Sequence, residues 1–483
     1  MGMTFTIDSD YIIASMSRLV LVLVLFSVVI VRGSVCSECY WNSKCSYELF
    51  ATATPYDNIR GDLRDHAQDN DCKVISLWSL HRHGNRNPGV DVTRDVKELQ
   101  HKIKLLLDVP DNRRSNNCYQ DMDDLMKWRW NTTLENSTSY LTGVGYEELY
   151  QLGRRILMRY HDFVKSVDNA YFRATNSQRT EVSLAAYVRG LSDGDDTLNF
   201  TTAIDAPLQR DDVIRPYETC ARYQDEVKNG QKVTEELAAY DTSAEFLAIR
   251  DRVQAKMFVD YKISSREVFT LYELCRFERS WDPKLRSPWC SFFTDQDLVV
   301  LEYRDDIRHY YRNGYGSQIN LDLGAQAMKN LYETFVAASK SEQTTMVSYF
   351  THDTMLEMVY CALGLFRDRE PLKGSTRKAN RLWRSTEFTA FASNFIAVLY
   401  RCSKSDEEEL RVQFLINEKP TALCPEDGCA WQQFLNTFQV FSTAKLDFCG
   451  TNESGASHLS GRSDMKMNLA SSLMILVMIT SIL

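Results

Sequence analysis

An apolar stretch, Val74-Ile75-Ser76-Leu77-Trp78-Ser79-Leu80, runs directly into Arg82-His83-Gly84-Asn85-Arg86-Asn87-Pro88. A short apolar run closed by Gly and Pro reads as a buried strand followed by a turn. The same order recurs along the chain. Residues 170–174 read as a strand, Thr175-Asn176-Ser177 as a turn, and Gln178 to Leu191 as a helix. Met346 to Phe350 reads as a strand that meets Thr351-His352-Asp353-Thr354 and a helix from Met355 to Leu365. Leu141 to Val164 has helical spacing, and Phe395 to Tyr400 and Val412 to Ile416 read as buried strands. Strand followed by helix, repeated, predicts an α/β fold whose mainly parallel sheet is flanked by helices. In such sheets ligands bind beyond the carboxyl ends of the strands, where all three polar segments fall.

The residue types in those segments suit an anionic substrate. Arg82 and Arg86 are permanent cations on either side of His83, a combination that holds a phosphate dianion and attacks its phosphorus. Gly84 lets the backbone turn and approach closely, and Pro88 stiffens the exit. His81 lies one step outside the pattern and reads as structural. Arg179 falls in the first turn of its helix, where a cation opposes the helix dipole. An anion facing Arg179 accounts for that placement, although an exposed arginine is the commoner reading. Arg173 is a weaker candidate for the same pocket. His352 can donate hydrogen bonds to phosphate and Asp353 can carry a proton to a departing oxygen; the plainer alternative for Asp353 is a helix N-cap. Cys36-x-x-Cys39 has no second pair to complete a zinc site, so neither metal nor other cofactor is expected.

The rest of the chain sets the compartment. Leu19 to Val31 is an apolar run behind Arg18 and ahead of small residues, which predicts a signal peptide over residues 1–33, with an N-terminal membrane anchor as the alternative. Leu469 to Leu483 is a second apolar run, preceded by a spacer and by Ser454-Gly455-Ala456. That order predicts a glycosylphosphatidylinositol anchor signal, with residues 469–483 removed, residues 451–468 as linker, and Ser454 as candidate attachment residue. Thirteen dispersed cysteines suit disulfides in the secretory pathway. Cys424 and Cys429 are close enough to close a small loop, and Cys361 is expected to be a buried free thiol. Asn131, Asn136, Asn199 and Asn452 begin glycosylation sequons. The formal net charge of −9 argues against nucleic acid as a partner. The expected partners are anionic small-molecule phosphate esters and, through the anchor, the extracellular face of the plasma membrane. Residues 207–327 are rich in charge and aromatics and read as an inserted, mostly helical cap. The α/β core is then discontinuous, over residues 34–206 and 328–450.

Together, Arg82-His83-Gly84-x-Arg86-x-Pro88 and His352-Asp353 resemble the histidine acid phosphatase family, branch two of the histidine phosphatases. The likeness runs from about Val74 to Phe448. Further segments are similar to the multiple inositol polyphosphate phosphatases of animals: Leu141-Thr142 to Gly145, Thr175 to Gly190, Phe391 to Asn394, Leu399 to Cys402, and Asn417 to Pro420. The resemblance implies a phosphoglycerate-mutase-like core and a phosphomonoesterase acting on highly phosphorylated inositols and bisphosphoglycerate. It implies that Arg82, Arg86, Arg179 and His352 hold the scissile phosphate, that His83 is the nucleophile, and that Asp353 is the proton donor. That subgroup usually carries His-Ala-Glu where this chain has His352-Asp353-Thr354, and no glutamate follows until Glu357. Further cations for an inositol polyphosphate are expected from the helical insertion or from residues 91–104. The alternatives are a broad-specificity histidine acid phosphatase and, in a different class, an inactive cell-surface interaction protein.

Overall fold

The computed structural model describes residues 39–42, 47–65, 71–107, 118–195, 197–198, 200–205, 211–257, 261–282, 284–404, 407–421, 423–425 and 428–450. The expected signal peptide, anchor tail, Ser454, Asn452 and Asn199 lie outside these residues, as do Cys36 and Cys45. Among the described residues no helix is long and apolar enough to cross a membrane.

Among the described residues eight strands form one sheet: β1 (Cys72–Arg82), β2 (Asn169–Ala174), β3 (Thr201–Ile204), β4 (Thr345–Thr351), β5 (Asn394–Lys404), β6 (Glu407–Ile416), β7 (Lys419–Pro420) and β8 (Cys429–Ala430). The order is β3-β2-β4-β1-β5-β6-β7, with β8 also paired to β6. The protein is α/β, with helices on both faces. One half of the sheet, β3-β2-β4-β1, is parallel throughout. The other half is antiparallel. For β5 and β6 the connection forces this: β5 ends at Lys404 and β6 begins at Glu407, too short for the crossover a parallel pair needs.

Alternation along the strands buries both faces, which is why they read as continuous apolar runs. Phe395, Ala397 and Leu399 enter one core, whereas Ile396 and Val398 enter the other. The second core packs against α1 (Gly143–Arg159) and α2 (Gln178–Ser192) through Leu149, Leu152, Leu184 and Tyr187. The helix expected over residues 141–164 is interrupted at Tyr160, whose φ/ψ of −120°/41° is not helical, and resumes at His161.

From Pro216 to Arg312 the described chain is helical, including α3 (Ser265–Trp281) and α4 (Asp295–Arg312), each begun by a reciprocal capping box. The boundary drawn at residue 327 falls inside α5 (Gln318–Ala338). Its face of Leu323, Ala327, Leu331 and Phe335 lies in the core. α6 (Asp353–Ala362) follows β4 directly.

Among the described residues there are five disulfides: Cys39–Cys118, Cys72–Cys402, Cys220–Cys449, Cys275–Cys290 and Cys424–Cys429. They fit a protein of the secretory pathway. Cys361 is a buried free thiol. Cys39 is held by Cys118, so it is not half of a metal-binding pair. Asn131 and Asn136 are exposed.

Candidate active site

Register brings the segments together. β1 and β4 are parallel neighbours with Arg82 opposite Thr351, and the His83 amide donates to the Thr351 carbonyl at 3.0 Å. His83 and His352 therefore leave the sheet side by side, with ring centroids 5.5 Å apart. β2 lies on the other side of β4, and the Thr175 amide donates to Phe350 O at 3.0 Å. The chain then turns into α2, which presents Arg179 to the same place. Arg179 Nη2 donates to His352 Nδ1 at 3.2 Å.

Gly84 serves a close approach of backbone to backbone rather than to a ligand. A Cβ there meets the Gly145 carbonyl oxygen at 2.2 Å, and one on Gly145 meets Asn85 O at 2.1 Å. The loop is thus pressed onto the first turn of α1, whose Glu148 accepts from the Asn85 amide at 2.7 Å and the Tyr56 amide at 3.1 Å. Burial pushes the Glu148 carboxyl up to about 7.

His83 is 2% exposed. Its Nδ1 donates to the Gly84 carbonyl at 2.8 Å, because a carbonyl can only accept. The proton is held on Nδ1 and the lone pair on Nε2. Burial, then the surrounding Arg179 and Arg82, holds the ring well below the ordinary histidine range, hence neutral. Arg82 is 1% exposed. Its Nη1 donates to the carbonyls of Thr52 at 2.5 Å and Thr389 at 2.7 Å, and its guanidinium lies 4.6 Å from the Phe391 ring centroid. The fixed cation also pairs with Asp353 Oδ2 at 3.2 Å. Arg86 donates to its neighbour's carbonyl, Asn87 O, at 2.8 Å.

His352 accepts from Arg179 on Nδ1, so Nε2 carries the proton and donates to Thr175 Oγ1 at 3.2 Å. Nδ1 can donate to a phosphate only after taking up a proton, once an anion engages Arg179. His352, not Asp353, is the N-cap of α6. Asp353 stands at the first helical position, where the helix dipole favours an anion, and its Oδ1 accepts from the Thr354 amide at 2.8 Å. Burial opposes the charge on Asp353, but Arg82 and its neighbours prevail and hold the carboxyl well below the usual range.

Two adjoining cavities meet here. One of about 190 Å³ is lined by His83, Arg86, Arg179, His352, Asp353 and Lys228. The other, about 320 Å³, adds Arg82, Arg276, Arg308 and His309. Arg86, Arg312, Asp353 and Thr354 line both. The six residues picked from the three motifs thus all line these two adjoining cavities. The cations of the helical stretch from Pro216 to Arg312, Lys228, Arg276, Arg308 and Arg312, were not singled out from the sequence, because they sit in ordinary helix patterns with no local signature. Arg173 does not join the site: its guanidinium pairs with Asp211 Oδ2 at 3.0 Å. His81 packs in the core, stacked on Phe350.

Comparison with known proteins agrees with this fold. Among solved structures, the phytase from D. castellii superposes with a TM-score of 0.68 at 19% identity, over 84% of this chain and 88% of its own. The Bifidobacterium longum multiple inositol polyphosphate phosphatase bound to inositol hexasulfate gives 0.60 at 13% identity, over 78% and 94%. By sequence, multiple inositol polyphosphate phosphatase 1 of Drosophila melanogaster is 27% identical over 88% of this chain and 92% of its own. The Homo sapiens protein is 25% identical over 84% and 88%. The profile described as Histidine phosphatase superfamily (branch 2) matches residues 73–417, which span the β1 loop, α2 and the turn into α6. A chain whose strands deliver a neutral histidine into a ring of arginines, and whose sequence matches that profile over most of its length, belongs to branch 2 of the histidine phosphatase superfamily and is a phosphatase.

Proposed function

We propose that the protein removes phosphate from inositol polyphosphates through a phosphohistidine intermediate. The observation that carries the reading is the pairing of a small phosphate-sized hollow at His83 with a larger, arginine-lined one beside it. A simple monoester fills the first and leaves the second, with Arg276, Arg308 and Arg312 in its lining, empty of substrate.

In this reading Arg82, Arg86, Arg179 and His352 hold the scissile phosphoryl group, and their charges stabilise the extra negative charge of the transition state. His83 Nε2 attacks phosphorus, the bond from phosphorus to the ester oxygen breaks, and its electron pair leaves with that oxygen. Asp353 protonates the oxygen. Because Arg82 holds Asp353 ionised, the carboxyl gains its proton when a phosphate engages the arginines and weakens their hold on it. The substrate monoanion brings that proton. Water then attacks the phosphohistidine with Asp353 as base, and inorganic phosphate leaves. Every charge in this scheme comes from the chain's own side chains.

The relatives named above as inositol polyphosphate phosphatases support the substrate class. We also place the enzyme on the extracellular face of the membrane through the lipid anchor, glycosylated at the sequons. The test is turnover of inositol hexakisphosphate against an aryl phosphate, with the successive products identified. The expected outcome is a higher kcat/KM for the hexakisphosphate, and activity released from expressing cells by a phospholipase specific for phosphatidylinositol. A strong preference for the aryl ester favours the broad acid phosphatase instead.

A further inference from the structure

Glu357 lies one helical turn after Asp353 on α6 and is fully buried. It is not spent on the reaction. Its Oε2 pairs with His309 Nδ1 at 2.9 Å and accepts from Asn313 Nδ2 at 2.9 Å, while Oε1 accepts from Thr389 Oγ1 at 2.9 Å. His309, on α4 of the cap, is 6% exposed. Its second nitrogen, Nε2, faces Arg308 Nη2 at 3.1 Å. A guanidinium has only donors, so this contact requires a lone pair on Nε2 and a proton on Nδ1. That is the tautomer Glu357 selects.

Burial works against the imidazolium and Glu357 works for it, with the balance above the ordinary histidine value; only the neutral ring satisfies both contacts. Arg308 keeps 38% of its side chain exposed and lines the larger cavity. Asp305 holds its Nη2 from the other side at 2.8 Å and also pairs with Arg276 at 2.7 Å.

We infer that His309, its tautomer set by Glu357, is a positioning residue that aims Arg308 at a second anionic group of the substrate. The inference rests on the reading that such a group enters the larger cavity. It joins the helix that carries the proton donor to the specificity surface of the cap, in the manner of a carboxylate orienting a histidine that in turn orients a ligand-binding group.

The test reads the inhibition constant of inositol hexasulfate against aryl phosphate turnover at neutral pH. Gln can place a carbonyl oxygen near Nε2, whereas Asn reaches only as far as Nδ1. His309→Asn is therefore expected to weaken inhibition about fivefold, a hydrogen bond's worth of affinity, with kcat for the aryl ester unchanged. His309→Gln is expected to inhibit as the parent does. Glu357→Gln can keep its carbonyl oxygen on His309 Nδ1 and Asn313 Nδ2 and turn its amide toward Thr389 Oγ1, so it preserves the tautomer and is expected to inhibit as the parent does. Arg308→Gln is expected to weaken inhibition at least as much, and adding His309→Asn to it to change nothing further.

Equal impairment of the Gln and Asn variants overturns the inference. So does additivity with Arg308→Gln, or an Arg308→Gln variant that inhibits as the parent does. Because the sulfate ester is not turned over, these results stand apart from whether the wild-type enzyme favours the hexakisphosphate, so failure of the substrate reading shows separately.

Discussion

In the mechanism proposed above, the attacking histidine needs its lone pair on the nitrogen facing the substrate, and one hydrogen bond to the Gly84 carbonyl places it on Nε2 of His83. As the proton donor of that proposed mechanism, Asp353 poses the opposite problem. A proton donor must be protonated at the moment the ester oxygen departs, yet Arg82 keeps this carboxyl ionised. Docking of the phosphate resolves the conflict, because the same arginine then serves both anions. Replacement by Asn removes the transferable proton and leaves the hollow intact. Asp353→Asn is expected to lower kcat about 10²–10⁴-fold for alkyl esters, the usual worth of general acid catalysis. Aryl esters, whose leaving oxygen needs no proton, lose much less. A series of esters graded by leaving-group acidity checks this, and an equal loss across the series would remove Asp353 from the role.

At the scale of elements, the catalytic loop is held by α1 as much as by its own strand. Gly84 and Gly145 let the two backbones touch, and Glu148 then receives the Asn85 amide. Its carboxyl is raised from the model-peptide value of 4.5 to about 7 by burial, so the folded protein binds this proton more tightly than the unfolded chain does. Stability from this group is complete below about pH 4.5 and is lost as pH rises toward about 7. The side chain is not fully sealed from the neighbouring cavity, so the loss is on the order of 1–2 kcal/mol. Glu148→Gln is expected to flatten this part of the stability-versus-pH curve, as read by thermal unfolding between pH 5 and 7.5. A slope unchanged by the substitution would count against the raised carboxyl.

Across the whole molecule a formal charge of −9 surrounds a local concentration of guanidinium groups. Such a field draws polyanions in, and salt screens it over about 8–10 Å. KM for inositol hexakisphosphate is expected to rise severalfold between about 50 and about 500 mM salt, and KM for an aryl phosphate to rise much less. Equal slopes in a plot against ionic strength would mean that the cap cations do not meet the substrate.

Read alone, the sequence determined the elements that carry chemistry. Strand-to-loop transitions at Arg82, Ala174 and Thr351 are local events, governed by apolar runs and by Gly, Pro, Ser and Asn in turns, so they are readable without the fold. The three motifs are readable for the same reason, since each is contiguous. The small Cys424–Cys429 loop and the buried Cys361 thiol also followed from spacing and pattern. Tertiary structure alone decided the rest. The direction of β5 and β6, the role of Arg173 as partner to Asp211, and the convergence of Arg276, Arg308, Arg312 and His309 depend on contacts between residues far apart in the chain. A helical arginine that caps a cavity has the same neighbours in sequence as one that faces water, and only packing, through charge brought near charge, distinguishes them.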